Sequence, residues 1–365
     1  MINLGIIGVG GMGAGHCKNA SELEHIKLAA VCDLSQETAD TRAKEYDCTP
    51  FTSFEEMLDS GLVDSILIAV PHFFHTPIAI AALEKGIHVL VEKPIAVHKA
   101  DAERMIAAHS DTSVIFSAMF NQRTNPLYIE AKRLVESGEL GEIIRTNYIV
   151  SDWFRSQAYY DSGSWRATWK GEGGGVLVNQ CPHSLDLFQW ICGMPTKIRA
   201  WCTFGKYHDI EVEDEVNAYM EYANGATGLF YTTTGEAPGT NRMEISGDKA
   251  QLIIENGTLT LRRNSPSTSE HIKNGPFWGG PETTKIDYTF SSEGGMHKEM
   301  IENFANAILN GADLIAPAEE GLHSVELANA MIYSSLTETT VNLPLDSAAY
   351  EEKLNELMAG SSFQP

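Results

Sequence analysis

The chain has 365 residues, enough for about two domains with well-buried cores. Apolar residues make up 43% and charged residues 21%, which excludes a disordered or fibrous chain. Acidic residues number 49 against 26 Lys and Arg, and a net charge of -23 repels polyphosphate and anionic lipid, so neither nucleic acid nor a membrane is an expected partner.

Residues 2–8 form a short apolar run ending in glycines, the pattern of a buried parallel strand. Residues 27–32, 64–70, 88–91 and 113–120 repeat it, with helix-like segments between. The clearest of these is 76–86, with Thr76 as cap, Pro77 at the first helical position and Gly86 as the left-handed stop. Strand and helix in alternation predict an α/β domain over residues 1–121, a doubly wound parallel sheet of the Rossmann kind. After Phe120 the pattern changes. Residues 126–137 read as an amphipathic helix closed by Gly138, and extended runs follow with hairpin signals at Asn224-Gly225 and Asn256-Gly257. Residues 122–365 are therefore expected to form a second, α+β domain around a mostly antiparallel sheet, one face of which must be covered. Residues 264–295 are rich in Ser, Gly and Pro and read as a long loop, and helical periodicity returns at 298–309, 321–337 and 348–358. The six cysteines show no CxxC pair, the first residues lack a signal-peptide pattern and no apolar run approaches ~20 residues, so a cytoplasmic protein is expected.

The first turn reads Gly8-Val9-Gly10-Gly11-Met12-Gly13, directly after a strand and opening a helix, the context in which this glycine spacing signals a dinucleotide. Gly8 allows the tight turn, Gly10 lets the backbone approach a diphosphate, and Gly13 lets the helix pack close to the sheet. The N–H groups of the helix start, at Gly11 and Met12, then face the phosphates. Asp33 follows the second strand, where a carboxylate accepts from ribose hydroxyls and repels a 2′-phosphate. No Arg closely follows it in Leu34-Ser35-Gln36-Glu37, so the expected cofactor is NAD.

Glu92-Lys93-Pro94 stands at the carboxyl end of a buried strand, where ligands sit in parallel sheets. Burial beside a cationic nicotinamide disfavours a charged lysine, so Lys93 could exchange a proton with a substrate hydroxyl; a surface Lys-Pro turn is the other reading. A helix through 173–186 would put Asn179 and His183 on one face with Asp186 beyond, while Pro182 either kinks that helix or starts it. His183 suits a general base near neutral pH, and it also reads as a core histidine. Trp153, Arg155, Tyr159, Tyr160, Trp165 and Arg166 crowd the approach to the glycine run and suit a carbohydrate, whose hydroxyls Arg can fork; Arg123, Trp165 and Arg166 are the expected pocket lining. The histidines show no metal-ligand spacing, so no metal is expected.

Taken together, Gly8-x-Gly10-x-x-Gly13, Glu92-Lys93-Pro94, Asn121-Gln122-Arg123 and the glycine run into Asn179 and His183 resemble the Gfo/Idh/MocA oxidoreductases over nearly the whole chain. The resemblance implies a nicotinamide enzyme acting on sugars, inositols or related polyols, and a homo-oligomer joined through the second domain's open sheet. It makes Lys93 and His183 the catalytic pair and places Pro71, His75, Glu92 and Lys93 itself beside the cofactor. Many members carry Asp where this chain has Asn179; an amide cannot take a proton, so Asn179 is left to orient substrate, and the choice of acceptor between Lys93 and His183 stays open. His72 likewise replaces a common Asn. The expected activity is NAD-dependent oxidation of a secondary hydroxyl of a sugar or glycoside, with C3 of a glucoside as one candidate. The alternatives are an inositol dehydrogenase, a keto-sugar reductase or a non-catalytic NAD-binding partner subunit.

Overall fold

The computed structural model describes residues 1–362. The chain divides into two compact units, Met1–Thr124 with Gly295–Val325, and Asn125–Gly294 with Glu326–Pro365. The first unit thus takes back a segment that the sequence division at residue 121 assigned to the second domain.

The first unit runs β1 (Ile2–Ile7), α1 (Gly11–Ser21), β2 (Ile26–Cys32), α2 (Gln36–Tyr46), β3 (Thr49–Phe51), α3 (Phe54–Asp59), β4 (Ser65–Ile68), α4 (His75–Glu84), β5 (His88–Val91), α5 (Lys99–Ala108) and β6 (Phe116–Ala118). Its six strands are all parallel in the order β3-β2-β1-β4-β5-β6, the expected Rossmann-like sheet. The strand order reverses between β1 and β4, so the carboxyl ends of β1, β4 and β5 open on the crevice where such sheets bind ligands. Both faces must be covered, which explains why β4 is buried at every position and reads as one apolar run. α4 begins one residue before the expected cap: His75 is its first residue and Thr76 is inside it, because a single turn at His72–Phe74 already sets the helical direction.

The second unit runs α6 (Pro126–Glu136), β7 (Ile143–Val150), α7 (Gln157–Tyr160), α8 (Pro182–Cys192), β8 (Lys197–Phe204), β9 (Glu213–Glu221), β10 (Thr227–Thr233), β11 (Asn241–Gly247), β12 (Ala250–Glu255), β13 (Thr258–Ser265), α9 (Thr268–Asn274) and β14 (Glu282–Tyr288). The chain then enters α10 (His297–Asn310) in the first unit, crosses α11 (Ala318–Thr337) and ends with β15 (Val341–Asn342) and α12 (Ser347–Ala359). Nine strands order as β14-β13-β12-β11-β7-β10-β9-β8-β15, antiparallel except for β7 beside β10. The region expected as a long loop, 264–295, contains α9 and the edge strand β14, which pairs residue for residue with β13. Tyr148, Phe188 and Phe230 pack together on the covered face, while Ile149, Trp201, Tyr219 and Leu229 stand exposed on the other.

α10 explains the chain's return to the first unit. Its buried stripe, Met300, Ile301, Phe304, Ala305 and Ala307, packs against α1, β1 and β5 and covers apolar surface that the first 124 residues leave open.

Candidate active site

The cofactor cradle is built by close backbone packing. Gly8 sits at φ +84°, and a Cβ on it would stand 2.5 Å from the Ala69 carbonyl oxygen. A Cβ on Gly13 would stand 1.8 Å from the Gly8 carbonyl oxygen. Gly10 and Gly11 face open space, with no atom within 4 Å of an added Cβ. Gly10 caps α1 without a side-chain hydrogen bond, so the first-turn N–H groups point into that space at the positive end of an 11-residue helix. Met12 lies exposed on the same turn. The residues fit a dinucleotide: a Cβ-free opening lies directly in front of unused donors.

Asp33 follows β2 and is half-buried. Its Oδ2 accepts the Val9 N–H at 3.1 Å and its Oδ1 the Ser35 N–H at 3.0 Å. Each oxygen keeps a lone pair for a ribose hydroxyl. Sequence reading finds no Arg close behind Asp33, yet α2 brings Arg42 round to the Val9 carbonyl at 3.4 Å. Its charge is taken by Glu45 at 2.7 Å.

At the carboxyl end of β5, Glu92 is buried and Lys93 half-buried, followed by a cis bond to Pro94. Pro71 is exposed at the end of β4. His75 is fully buried, with Nδ1 at 2.9 Å from the Pro94 carbonyl and Nε2 at 2.9 Å from the Val70 carbonyl. Burial holds its pKa below the usual histidine value, against the pull of those carbonyls and Glu92. Both ring nitrogens therefore lie against protein carbonyls, to one of which the neutral ring donates its single N–H, and His75 braces the two loops instead of touching a ligand as expected. Arg123 needs a similar correction. Its side chain is fully buried, paired with Glu320 and the Ile315 carbonyl (3.3 Å), so it belongs to the core of the first unit, not to a pocket wall. An isolated buried cation is costly, and Glu320 sits close because of that.

In the second unit, Pro182 starts α8, so Asn179 lies in the turns before the helix and His183 on its first turn. Both are half-buried. Asp186 is buried and accepts from Gln189 at 3.1 Å. The glycine run is shaped by two carboxylates that sequence spacing did not mark. Glu172 accepts the Ala167 N–H at 2.7 Å and the Asn179 amide, fixing where that amide points. Glu213, at the start of β9, accepts the Gly175 N–H at 2.9 Å and the Leu177 N–H at 3.1 Å. Tyr159, Trp165 and Arg166 pack against one another. The Arg166 guanidinium lies 4.8 Å from the Tyr159 ring centre and 4.5 Å from that of Trp165, and donates to the Tyr159 hydroxyl at 3.1 Å. Among the described residues no three His, Cys, Asp or Glu side chains are placed to hold a metal ion.

Glu213 makes a testable pH dependence. Burial pushes its carboxyl up to about 7, outweighing the N–H groups of Glu213, Leu177 and Gly175, and the charge of Glu172 adds to the rise. A raised carboxyl pKa stabilises the fold below its unfolded value, and that contribution is lost as pH climbs through about 7. The melting temperature of the wild type is therefore expected to fall by a few degrees more between pH 6 and 8 than that of Glu213→Gln, whose neutral amide does not titrate. Equal slopes in differential scanning calorimetry would remove the assignment.

Comparison with known proteins agrees with this geometry. Residues 2–120 match the oxidoreductase family with an NAD-binding Rossmann fold, and residues 128–253 match the GFO/IDH/MocA C-terminal domain. The levoglucosan dehydrogenase of Pseudarthrobacter phenanthrenivorans is 27% identical over 69% of this chain and 73% of its own length. The scyllo-inositol 2-dehydrogenase (NAD(+)) of Bacillus subtilis is 24% identical over 95% of this chain and 98% of its own. The WlbA dehydrogenase of Bordetella pertussis, solved with NADH and UDP-GlcNAcA, superposes with a TM-score of 0.79 at 26% identity, covering 94% of this chain and 99% of that one. With both of its domains matched, this chain belongs to the Gfo/Idh/MocA family of NAD-dependent oxidoreductases.

Proposed function

We propose that this chain oxidises a secondary hydroxyl of a sugar or glycoside, with C3 of a glucoside as the first position to test. The observation that carries this reading lies within one sheet: the open glycine turn after β1 and the half-buried Lys93 after β5 stand at the same carboxyl edge. The helix α1 N–H groups and Asp33 would hold the diphosphate and the adenosine ribose. NAD, when bound, supplies the hydride acceptor. Either Lys93 or His183 takes the single hydroxyl proton, since each has a nitrogen able to accept one when neutral. Asn179, oriented by Glu172, donates or accepts hydrogen bonds to substrate but moves no proton. The stacked Tyr159, Trp165 and Arg166 offer a ring face and guanidinium donors suited to a sugar. Named relatives act on levoglucosan and scyllo-inositol, which supports a carbohydrate.

The test is absorbance at 340 nm with NAD and a panel of sugars, glycosides and inositols. NADH is expected from at least one glycoside or sugar. NAD binding with silence across the panel would favour a non-catalytic partner subunit, and turnover of inositols alone would move the substrate within the family.

The open face of the nine-stranded sheet supports a homo-oligomer. Ile149, Trp201, Tyr219 and Leu229 project from four neighbouring strands, a contiguous apolar patch of the kind that covers itself with a second copy. Light scattering is expected to give a multiple of the chain mass, falling to one chain in Trp201→Lys/Leu229→Lys. A monomeric wild type would end this reading. None of the six cysteines is in a disulfide, which supports a reducing compartment such as the cytoplasm, and no helix among the described residues is long and apolar enough to cross a membrane.

A further inference from the structure

Glu92 is 7% exposed, and a carboxylate so buried requires partners. Its Oε1 lies 2.7 Å from His16 Nε2, and its Oε2 accepts the backbone N–H of Lys93 at 3.1 Å. His16 comes from α1, the helix that opens on the cofactor cradle, and is 1% exposed. His297, the first residue of α10, meets the His16 ring edge to face with centroids 5.4 Å apart. The titratable groups facing Glu92 are thus His16 from α1, His75 from α4, His297 from α10 and its own neighbour Lys93.

Burial alone would raise the Glu92 carboxyl, but the His16 hydrogen bond and the charges of His16, Lys93 and His297 outweigh it and hold it at about 2. Burial keeps His297 below the usual histidine value. An ionised Glu92 takes its hydrogen bond from His16 Nε2–H. Among the described residues His16 Nδ1 has no hydrogen-bond partner, so Nε2 is the ring atom that ties His16 to Glu92. Glu92 therefore sets a buried carboxylate against the turn that holds Lys93.

We propose that Glu92, locked to His16, is the positioning residue for Lys93: it fixes the lysine's backbone, favours its ammonium form and ties both to the helix that carries the cofactor. This rests on Lys93 acting on the substrate hydroxyl. A carboxylate beside the lysine stabilises the ammonium, so base catalysis waits for a higher pH, and the enzyme's acid limb reports the pair directly.

The test compares Glu92→Gln, His16→Gln and His16→Leu in the NAD-loaded protein. Glu92→Gln is expected to keep NAD affinity within about threefold, lower kcat about 10- to 100-fold and move the acid limb of the kcat profile down by about one pH unit. His16→Gln retains an N–H donor for Glu92 and is expected to stay within about threefold of wild type, while His16→Leu behaves like Glu92→Gln. Titration of the Lys93 Nζ by nitrogen NMR gives the same shift without any substrate. An unmoved lysine titration and acid limb in Glu92→Gln, or equal damage from His16→Gln and His16→Leu, would overturn the proposal. Full turnover by Lys93→Ala would instead strike the parent reading, whatever Glu92 does.

Discussion

Lys93→Ala is expected to abolish NAD reduction, with kcat down at least about a thousandfold, while the Kd for NAD stays within about threefold of wild type. The separation follows from where the contacts lie. On the proposed reading, cofactor affinity comes chiefly from the glycine turn, the α1 N–H groups and Asp33, and none of these contacts uses the Lys93 side chain. Lys93 is half-buried at the end of β5, and its backbone N–H bond to Glu92 survives truncation. Loss of an amine that takes or gives the hydroxyl proton then appears in the chemical step alone. Calorimetry for binding and stopped-flow absorbance for hydride transfer separate the two. A parallel loss of affinity and rate would show that the lysine holds the cofactor instead.

Gly13→Ala is the second large effect. The added Cβ would meet the Gly8 carbonyl oxygen at 1.8 Å and its carbon at 2.8 Å, both backbone atoms that cannot swing aside. α1 must move away from β1, disrupting the turn that Gly8 makes at φ +84°. A destabilisation of about 3 kcal/mol or more is expected, at the upper end for overpacking, with NAD binding lost alongside it. Gly10→Ala makes the contrast. No atom of the protein lies within 4 Å of its Cβ, so the melting temperature is expected to move little while NAD affinity falls, because the methyl group fills space meant for the diphosphate. Melting curves with and without NAD distinguish the two variants.

What could be read from the sequence, and what could not, follows from the range of each interaction. The strands of the first unit announce themselves because burial on both faces makes each a continuous apolar run, and β5 occupies the expected residues 88–91. The hairpin at Asn256-Gly257 takes positive φ at both residues, 51° and 71°, as its turn chemistry dictates. At Asn224-Gly225 only the glycine does, at 86°, because the turn there is wider, from Tyr222 to Ala226. The edge strand β14 was hidden, since both of its faces are mostly exposed and polar and no alternation marks it. The return of α10 to the first unit was hidden too: periodicity shows that a helix has an apolar face, not which sheet it covers.

The candidate site divides the same way. Glycine spacing and the Glu92-Lys93-Pro94 turn are local and were legible. Arg123 reads as pocket lining beside a motif, and the family resemblance places His75 at the cofactor; in space Glu320 pairs with Arg123 and the Val70 and Pro94 carbonyls flank His75. His16, Glu172 and Glu213 act through partners 76, 7 and 38 residues away, and no spacing rule connects them.

The most direct measurement is a crystal structure with NADH and the sugar that the 340 nm panel selects. One hydroxyl is expected to lie within about 3 Å of both the Lys93 amine and the His183 imidazole, with its carbon facing the nicotinamide C4. A sugar bound with either nitrogen remote from the oxidised carbon, or a nicotinamide lying away from the β5 end, would contradict the assignment of this pair.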